Sequence, residues 1–256
     1  LATRNPGKSF VLISVDPAHS LQDLNLETPP NLKVEIIDTK AKWRRFRESF
    51  GAKIEEAVDA LTPRGISLAH DTEAMRRLIE IAPPGADELF AITRLADLVG
   101  QDATVIVDTA PTGHFLRLLD LPKTAGEWVR EFMRILLKYR ELIPAGSLGE
   151  ELVRASRALK DLDAALKERT NVLVVTRPER IVLAETKRLI ENLRSRNIRV
   201  GGVIANYVTP ENDDPCDQSM RGYELEALEE FPDAVLIERR EHPPVTAAEL
   251  LSLVPL

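Results

Sequence analysis

The sequence is poor in the features that build several common classes of protein. Its 256 residues include one cysteine, Cys216, which excludes an internal disulfide framework and a zinc cluster made from the thiols of this chain. No uninterrupted apolar run approaches the roughly 18 to 20 residues that a membrane-spanning helix requires. No charged and then apolar leader opens the sequence, so we expect a cytoplasmic protein that is not integral to a membrane.

The charge balance also narrows the choice of partners. Lys and Arg number 34 and Asp and Glu number 41, which gives a net charge of −7. Broad non-specific binding to nucleic acid needs a basic face, so the acidic balance argues against a nucleic-acid partner. Apolar residues make up 44% and charged residues 29%, which is the balance of a folded globular protein.

Short apolar runs alternate with longer amphipathic stretches along the chain. The runs are 10–15, 34–37, 104–107, 172–175, 201–205 and 234–237. Four of them are continuously apolar and rich in Val and Ile, which predicts strands buried on both faces of a parallel sheet. The stretches between them have helical spacing. The sequence therefore predicts an α/β fold with a doubly wound, mostly parallel sheet.

The predicted strands are unevenly spaced, and the two longest intervals between them have mostly helical patterns. We therefore predict a single α/β domain over residues 1–256, with helical insertions at about 40–100 and 120–168 that form a subdomain. No linker or internal repeat divides the chain. Within the second insertion, the stretch 128–143 has a broad apolar face, which either packs as core or lines a groove for a hydrophobic client.

An aspartate follows two of the predicted strands directly. Ligands of open parallel sheets bind beyond the carboxyl ends of the strands, which is where Asp16 and Asp108 are expected. A strand that ends in Asp and continues into a turn of small residues, as at 108–114, has the form of a Walker B motif, whose carboxylate holds Mg²⁺ through water. The alternative for each aspartate is an N-cap of the following helix.

Two further strands end in polar residues. Asn206 ends the fifth run, and its side-chain amide offers the donor and the acceptor that match the edge of adenine, although asparagine also forms turns. Pro178 and Glu179 follow the fourth run, where they are typical of a helix start with Glu179 favoured by the helix dipole.

Several of these segments resemble one family. Asp-Pro-Ala-His-Ser-Leu at 16–21 and Asp-Thr-Ala-Pro-Thr-Gly-His at 108–114 resemble the switch I and switch II segments of the ArsA-like ATPases. That family includes the arsenite-pump ATPase and the ATPase that targets tail-anchored membrane proteins, and it belongs to the dimeric P-loop ATPases. The segments 83–88 and 176–179 and the residue Asn206 also match its pattern.

The resemblance implies a function and a set of residue roles. The protein would be a homodimer with ATP and Mg²⁺ as cofactors, and it would couple its nucleotide state to a hydrophobic membrane-protein client or a membrane pump subunit. Asp16 would orient or activate the attacking water, Asp108 would hold Mg²⁺ through its water shell, and Gly113 would sense the terminal phosphate. Asn206 would bind adenine. The remaining nucleotide contacts would be Pro17, Ala18, Pro111, Thr112, Pro178 and Glu179.

The sequence also departs from the family in three ways. It contains no Gly-x-x-x-x-Gly-Lys-Ser/Thr pattern, so the resemblance implies a P-loop upstream of Leu1. Ser219 stands where a zinc-binding Cys-x-x-Cys pair would have its second cysteine after Cys216. No further cysteine follows switch II, whereas an arsenite site needs soft thiolates.

Three alternatives to the ATPase switch follow from these departures. One is a nucleotide-independent scaffold that kept the fold and lost the P-loop. Another is the energising subunit of an arsenite pump, against which the missing cysteines count. A positioning ATPase of the MinD or ParA type is disfavoured, because residues 246–256 contain no Lys or Arg and form no basic amphipathic helix.

Overall fold

The computed structural model describes residues 1–15, 28–36, 86–109, 112–138, 146–242, 244 and 246–253. The strands are β1 Phe10–Ser14, β2 Leu32–Ile36, β3 Thr104–Asp108, β4 Asn171–Thr176, β5 Arg199–Val208 and β6 Val235–Glu238. The helices are α1 Ala86–Val99, α2 Thr112–Lys138, α3 Gly146–Glu168, α4 Arg180–Ser195, α5 Pro215–Ala227 and α6 Ala247–Leu251, with a 3₁₀ turn at Leu228–Glu230. The predicted mixed α/β class is confirmed.

The strands pair in two parallel sheets of three. Their orders are β2-β1-β3 and β4-β5-β6, so the predicted parallel pairing is confirmed. The chain divides into two compact units: unit 1 is Leu1–Gln22 with Pro29–Asp163, and unit 2 is Asp23–Thr28 with Ala164–Leu256. The single domain over 1–256 and the subdomain of helical insertions stay predictions, and much of the insertion at 40–100 lies outside the described residues.

The core of unit 1 is centred on β1, which lies between β2 and β3. Phe10 is 3% exposed and Ile13 is fully buried, and the two lie on opposite faces of the strand. Burial on both faces is therefore confirmed for this strand. Helix α1 packs against α2, and it buries Ile92 and Leu95, which are spaced for one helical face.

In unit 2, α4 packs against β4 and β5. Leu183 of this helix joins a cluster with Ala205 and Val208, which are both fully buried. The opposite face of β4 behaves differently, because Leu173 and Val175 are 61% and 62% exposed. The prediction that this apolar run is buried on both faces is therefore wrong for β4, since the period-2 pleat of the strand turns only every second residue towards α4.

An ion pair ties α1 to the edge strand β2 in unit 1. Arg94 donates from Nε to Glu35 Oε2 at 2.8 Å and from Nη2 to Oε1 at 2.7 Å. Lys33 Nζ lies 2.9 Å from the same carboxylate. Chiefly through the hydrogen bonds from Arg94, these cations lower the pKa of Glu35 from 4.5 to about 2. A lowered pKa means that the ionised carboxylate stabilises the fold above pH 4.5 and loses this effect as the pH falls towards 2.

Glu35→Gln is expected to lower the free energy of unfolding by about 1 to 3 kcal/mol at pH 7, because the neutral amide cannot pair with both cations. The cost should shrink as the pH falls from 4.5 towards 2, where the wild-type carboxyl is itself neutralised. Urea unfolding followed by circular dichroism at pH 7 and pH 3 measures both. Lys33→Gln is the matched control, expected to cost about 0.5 kcal/mol or less because the lysine side chain is 68% exposed. An equal cost of Glu35→Gln at both pH values would contradict this account.

Candidate functional site

The carboxyl ends of β1 and β3 lie side by side at one edge of the first sheet. Ser14, the last residue of β1, is in register with Asp108, the last residue of β3. Ser14 Oγ donates to Asp108 Oδ2 at 3.1 Å, and the Val15 N–H donates to the Asp108 backbone oxygen at 3.0 Å. Asp108 is therefore held through both its side chain and its main chain, by neighbours that include the almost fully buried Ser14.

The geometry of Asp108 suits an ion that keeps most of its water. The second carboxylate oxygen, Oδ1, accepts no hydrogen bond from the part of the chain that the structure describes. Within those same residues, no three His, Cys, Asp or Glu side chains gather into a metal site. Mg²⁺ is usually bound by one or two carboxylates together with waters and substrate phosphates, rather than by a cage of protein ligands. The Asp108 carboxylate fits that chemistry.

The other predicted residues of switch I and switch II are only partly described. Asp16, Pro17, Ala18 and Pro111 lie outside the described residues, so their predicted roles stay predictions. A single residue, Val15, separates Asp16 from the end of β1.

Gly113 lies in the first turn of α2, and it is exposed together with Thr112. The first N–H groups of a helix have no partner within the helix and form a favourable environment for anions. A Cβ added at Gly113 would meet no atom of the described residues within 4 Å, and its φ does not lie in the left-handed region. Neither packing nor backbone conformation in the described structure therefore requires glycine at 113. Close approach of a ligand to the backbone remains a physical reason for glycine at this position.

Gly113→Ala is expected to leave the fold intact and to lower the rate of MgATP hydrolysis about tenfold or more, because a methyl group would obstruct a phosphate that approaches the backbone N–H. Phosphate-release kinetics measure the rate, and thermal unfolding checks the fold. The matched control is Gly126→Ala within α2, where the new Cβ meets, among the described residues, only the flexible Arg130 side chain at 3.6 Å. Equal rates in the two variants would argue against a phosphate contact at Gly113.

The carboxyl end of β4 leads into a helix start, as predicted. Glu179 is the N-cap residue of α4, and its side chain makes no capping hydrogen bond. It forms an ion pair with Arg177 instead, with 2.9 Å between Nη2 and Oε1. Pro178 between them is buried. The helix start predicted at this segment is confirmed, whereas the predicted contacts of Pro178 and Glu179 with nucleotide stay predictions.

Asn206 lies near the carboxyl end of β5 and is exposed. Its Oδ1 accepts a hydrogen bond from the Tyr207 N–H at 2.9 Å, which is the local turn-forming behaviour weighed as the alternative. Its Nδ2 donates to none of the residues that the structure describes. The Tyr207 N–H needs an oxygen acceptor, so this bond fixes the orientation of the Asn206 carboxamide and leaves Nδ2 without a partner among the described residues.

Sequence reasoning missed three residues at these edges. Ser14 could have been found, since it is the residue that precedes Val15 and Asp16 at the end of a buried strand. The segment 176–179 predicts only a helix start and a family match, whereas Arg177 lies over the Tyr207 ring with its Cζ 5.0 Å from the ring centroid. Tyr207 carries no sequence signal for its backbone conformation, because tyrosine is rarely found in the left-handed region.

In this chain, a parallel strand ends in a fixed aspartate, and an exposed helix N-terminus follows it. These features are typical of the α/β proteins that bind phosphate compounds at the carboxyl edge of a sheet. A model of the anion-transporting ATPase family, ArsA ATPase, matches residues 1–232. The chain therefore belongs to this family, which confirms the family resemblance.

Several relatives that are named as ATPases support this family assignment. The chain is 29% identical over 233 residues to the putative arsenical pump-driving ATPase 2 of Aquifex aeolicus, which covers 84% of this chain and 75% of the relative. It is 28% identical to ATPase GET3 of Komagataella phaffii, covering 84% and 68% of the two chains. An ATPase ASNA1 homolog of Entamoeba dispar is 29% identical, covering 85% and 72%. None of these names supports the nucleotide-independent scaffold.

The described helices differ from membrane-spanning helices in length or hydropathy. None of those in the described part of the chain combines the length and the hydropathy needed to cross a bilayer. In the stretch 128–143, the side chains of Trp128 and Phe132 and residues 139–143 lie outside the described part of the structure, so core and groove both stay predictions for this face.

Proposed function

We propose that this protein binds and hydrolyses ATP with Mg²⁺ and that it uses the change of nucleotide state as a switch. The observation that carries the proposal is the hydrogen bond from Ser14 Oγ to the Asp108 carboxylate at 3.1 Å, within the Asp-Thr-Ala-Pro-Thr-Gly-His segment. A carboxylate at the end of a parallel strand, with one oxygen held by a buried hydroxyl and the other without a partner among the described residues, suits a Walker B aspartate. Membership of an ATPase family supports the same chemistry.

The residues of unit 1 would act on the phosphates. A bound Mg²⁺ would neutralise charge that develops on the terminal phosphate during hydrolysis. Asp108 would hold the water shell of the ion, and Ser14 would keep the carboxylate in place. Asp16 would orient or deprotonate the attacking water, with Pro17 and Ala18 forming its turn. Pro111, Thr112 and Gly113 would present the first N–H groups of α2 to the terminal phosphate.

By the family resemblance, residues at the ends of β4 and β5 would contact the nucleoside. Asn206 would bind adenine through Nδ2, and Pro178 and Glu179 would line the base or ribose. A P-loop, which the family resemblance implies, would supply a lysine and a backbone cradle for the phosphates. For this reason the protein is to be assayed at its full natural length.

The proposal extends to partners. A homodimer in the cytoplasm, coupled to a hydrophobic membrane-protein client, follows from the resemblance to the tail-anchor targeting branch. A membrane pump subunit is supported by the name of the Aquifex relative, a pump-driving ATPase. The two are separated by adding either arsenite or a hydrophobic transmembrane peptide to the ATPase assay. We expect the peptide to alter turnover, because the single thiol of Cys216 cannot supply a soft multi-thiolate site for arsenite.

Equilibrium titration of the purified protein with MgADP tests the binding half of the proposal. We expect saturable binding at a stoichiometry of one nucleotide per chain, which weakens when EDTA removes Mg²⁺. Light scattering of the same samples tests the dimer. Absence of saturable binding at millimolar MgADP would contradict the proposed function.

A further inference from the structure

Tyr207 has a backbone conformation that is unusual for a bulky side chain. Its φ is 69°, in the left-handed region that favours glycine and asparagine. The register between β5 and β6 shifts between Asn206 and Val208, so Tyr207 is the extra residue of a bulge. Such conformations persist where the surroundings fix them, and they cluster at ligand sites.

The chain on both sides of Tyr207 is firmly held. Its own N–H is bound by Asn206 Oδ1 at 2.9 Å. Two residues later, the buried Thr209 donates from its N–H and its Oγ1 to the two carboxylate oxygens of Glu224, at 2.7 Å and 2.9 Å. The Val208 oxygen accepts from the Arg239 N–H at 2.7 Å. The left-handed conformation of Tyr207 is therefore imposed by four hydrogen bonds around it.

The ring of Tyr207 does not pack in the hydrophobic core. Tyr207 is 50% exposed, so burial of apolar surface does not explain its position. The guanidinium of Arg177 lies over the ring, with its Cζ 5.0 Å from the centroid. Glu179 Oε1 holds the same guanidinium at 2.9 Å. These contacts orient a half-exposed aromatic ring on the residue that directly follows Asn206, whose side chain is exposed as well.

We propose that Tyr207, held in place by Arg177, is a stacking platform that positions the adenine ring of the nucleotide against Asn206. This inference rests on the proposed function and names a residue that determines base binding. Aromatic rings stack on any base, which provides affinity without selectivity. The Asn206 Nδ2 donates to the ring nitrogen N7 and its Oδ1 accepts from the exocyclic amine, a pairing that matches adenine. Platform and amide together bind the base rather than the phosphates.

Tyr207→Asn tests the platform, because asparagine tolerates the left-handed conformation and has no ring. Isothermal titration calorimetry on the full-length protein compares MgADP with magnesium pyrophosphate, which has no base. We expect the Kd of MgADP to rise about tenfold or more, since loss of a stacking ring costs that much or more in other proteins. The Kd of pyrophosphate should stay within about twofold. Arg177→Gln should weaken MgADP binding about two- to fivefold, through loss of ring orientation.

Two variants control for unrelated effects. Tyr207→Phe keeps the ring and should bind MgADP like the wild type. Tyr223→Asn removes another tyrosine, on α5, which is 66% exposed and lies outside the proposed platform. It should leave both affinities unchanged.

Three other outcomes would overturn the inference in distinguishable ways. If the wild type binds MgADP and Tyr207→Asn binds it equally well, the platform is wrong and the proposed function stands. If Tyr207→Asn weakens MgADP and pyrophosphate by the same factor, the ring supports the fold and not the base. If the wild type binds neither ligand, the proposed function fails and the platform fails with it.

Discussion

Asp16→Asn is expected to lower the single-turnover rate of MgATP hydrolysis by about 10²- to 10⁴-fold, which is the usual contribution of a general base. Asparagine has the size of aspartate and keeps a hydrogen-bonding oxygen, but it cannot accept a proton from the attacking water. One residue separates Asp16 from Ser14, whose hydroxyl binds the Asp108 carboxylate. The affinity for MgADP should change little, because the product complex contains no attacking water.

Rapid-quench measurement of phosphate release at saturating MgATP gives the rate, and calorimetric titration gives the affinity. Asp102→Asn is the matched control, since Asp102 is an exposed aspartate that precedes β3 at the opposite end of the strand from Asp108. It should hydrolyse ATP at the wild-type rate. A full rate in Asp16→Asn would remove the residue from catalysis, and a loss of MgADP affinity equal to the loss of rate would make it a binding residue instead.

Asp108→Asn is expected to raise the Mg²⁺ concentration for half-maximal activity about tenfold or more and to reduce kcat/KM about 10²-fold. The asparagine Oδ1 can still accept the hydrogen bond from Ser14 Oγ, so the edge of the sheet should keep its structure. The negative charge that attracts the hydrated ion is lost. Activity measured over a range of free Mg²⁺ concentrations separates a defect in ion binding from a defect in folding.

Ser14→Ala provides the comparison for this prediction. It leaves the Asp108 charge in place but removes the hydroxyl that fixes the carboxylate, so it should cost about tenfold in kcat/KM, the lower end of what hydrogen-bond partners of metal ligands contribute. The predicted order of activity is therefore wild type, Ser14→Ala and Asp108→Asn. An unchanged Mg²⁺ requirement in Asp108→Asn would show that this aspartate has a structural role only.

The strands were predictable because buried parallel strands have a local signature. The apolar run 104–107 became Thr104–Asp108, and the run 172–175 became Asn171–Thr176, each extended by one or two flanking residues. Continuous Val and Ile at this length select strand over helix without reference to the rest of the chain. The burial of each side chain was less predictable. Val174 and Val175 have similar apolar neighbours in the sequence, but only Val174 is buried, because it faces α4.

Helix α2 shows where local patterns fail. The apolar spacing predicted a helix from Trp128 onward, but the observed helix begins at Thr112 and continues through Pro122. Proline inside a helix costs about 3 kcal/mol or more in isolation, which is why a sequence pattern favours a break there. Leu121, Ala125 and Val129 around the proline are buried, and their burial can offset that cost at about 25 cal/mol per Å² of apolar surface.

Some features of the candidate site were also predictable from the sequence, and others were not. The aspartate at the end of β3 was predictable, since it terminates a local apolar run. The hydrogen bond that holds it joins residues 94 positions apart and depends on the register of β1 and β3, which no local pattern specifies. The conformation of Tyr207 was equally unpredictable, because it depends on a bulge against β6 and on the Asn206 side chain.

We propose that Asp16, together with Asp108 at the carboxyl edge of the first sheet, promotes the hydrolysis of MgATP. Steady-state phosphate release from MgATP by the full-length wild-type protein tests it most directly, with a parallel reaction in excess EDTA. The account predicts turnover that saturates with ATP and falls to background when Mg²⁺ is chelated. Phosphate release at background level in both reactions, from protein that is folded by circular dichroism, would contradict it.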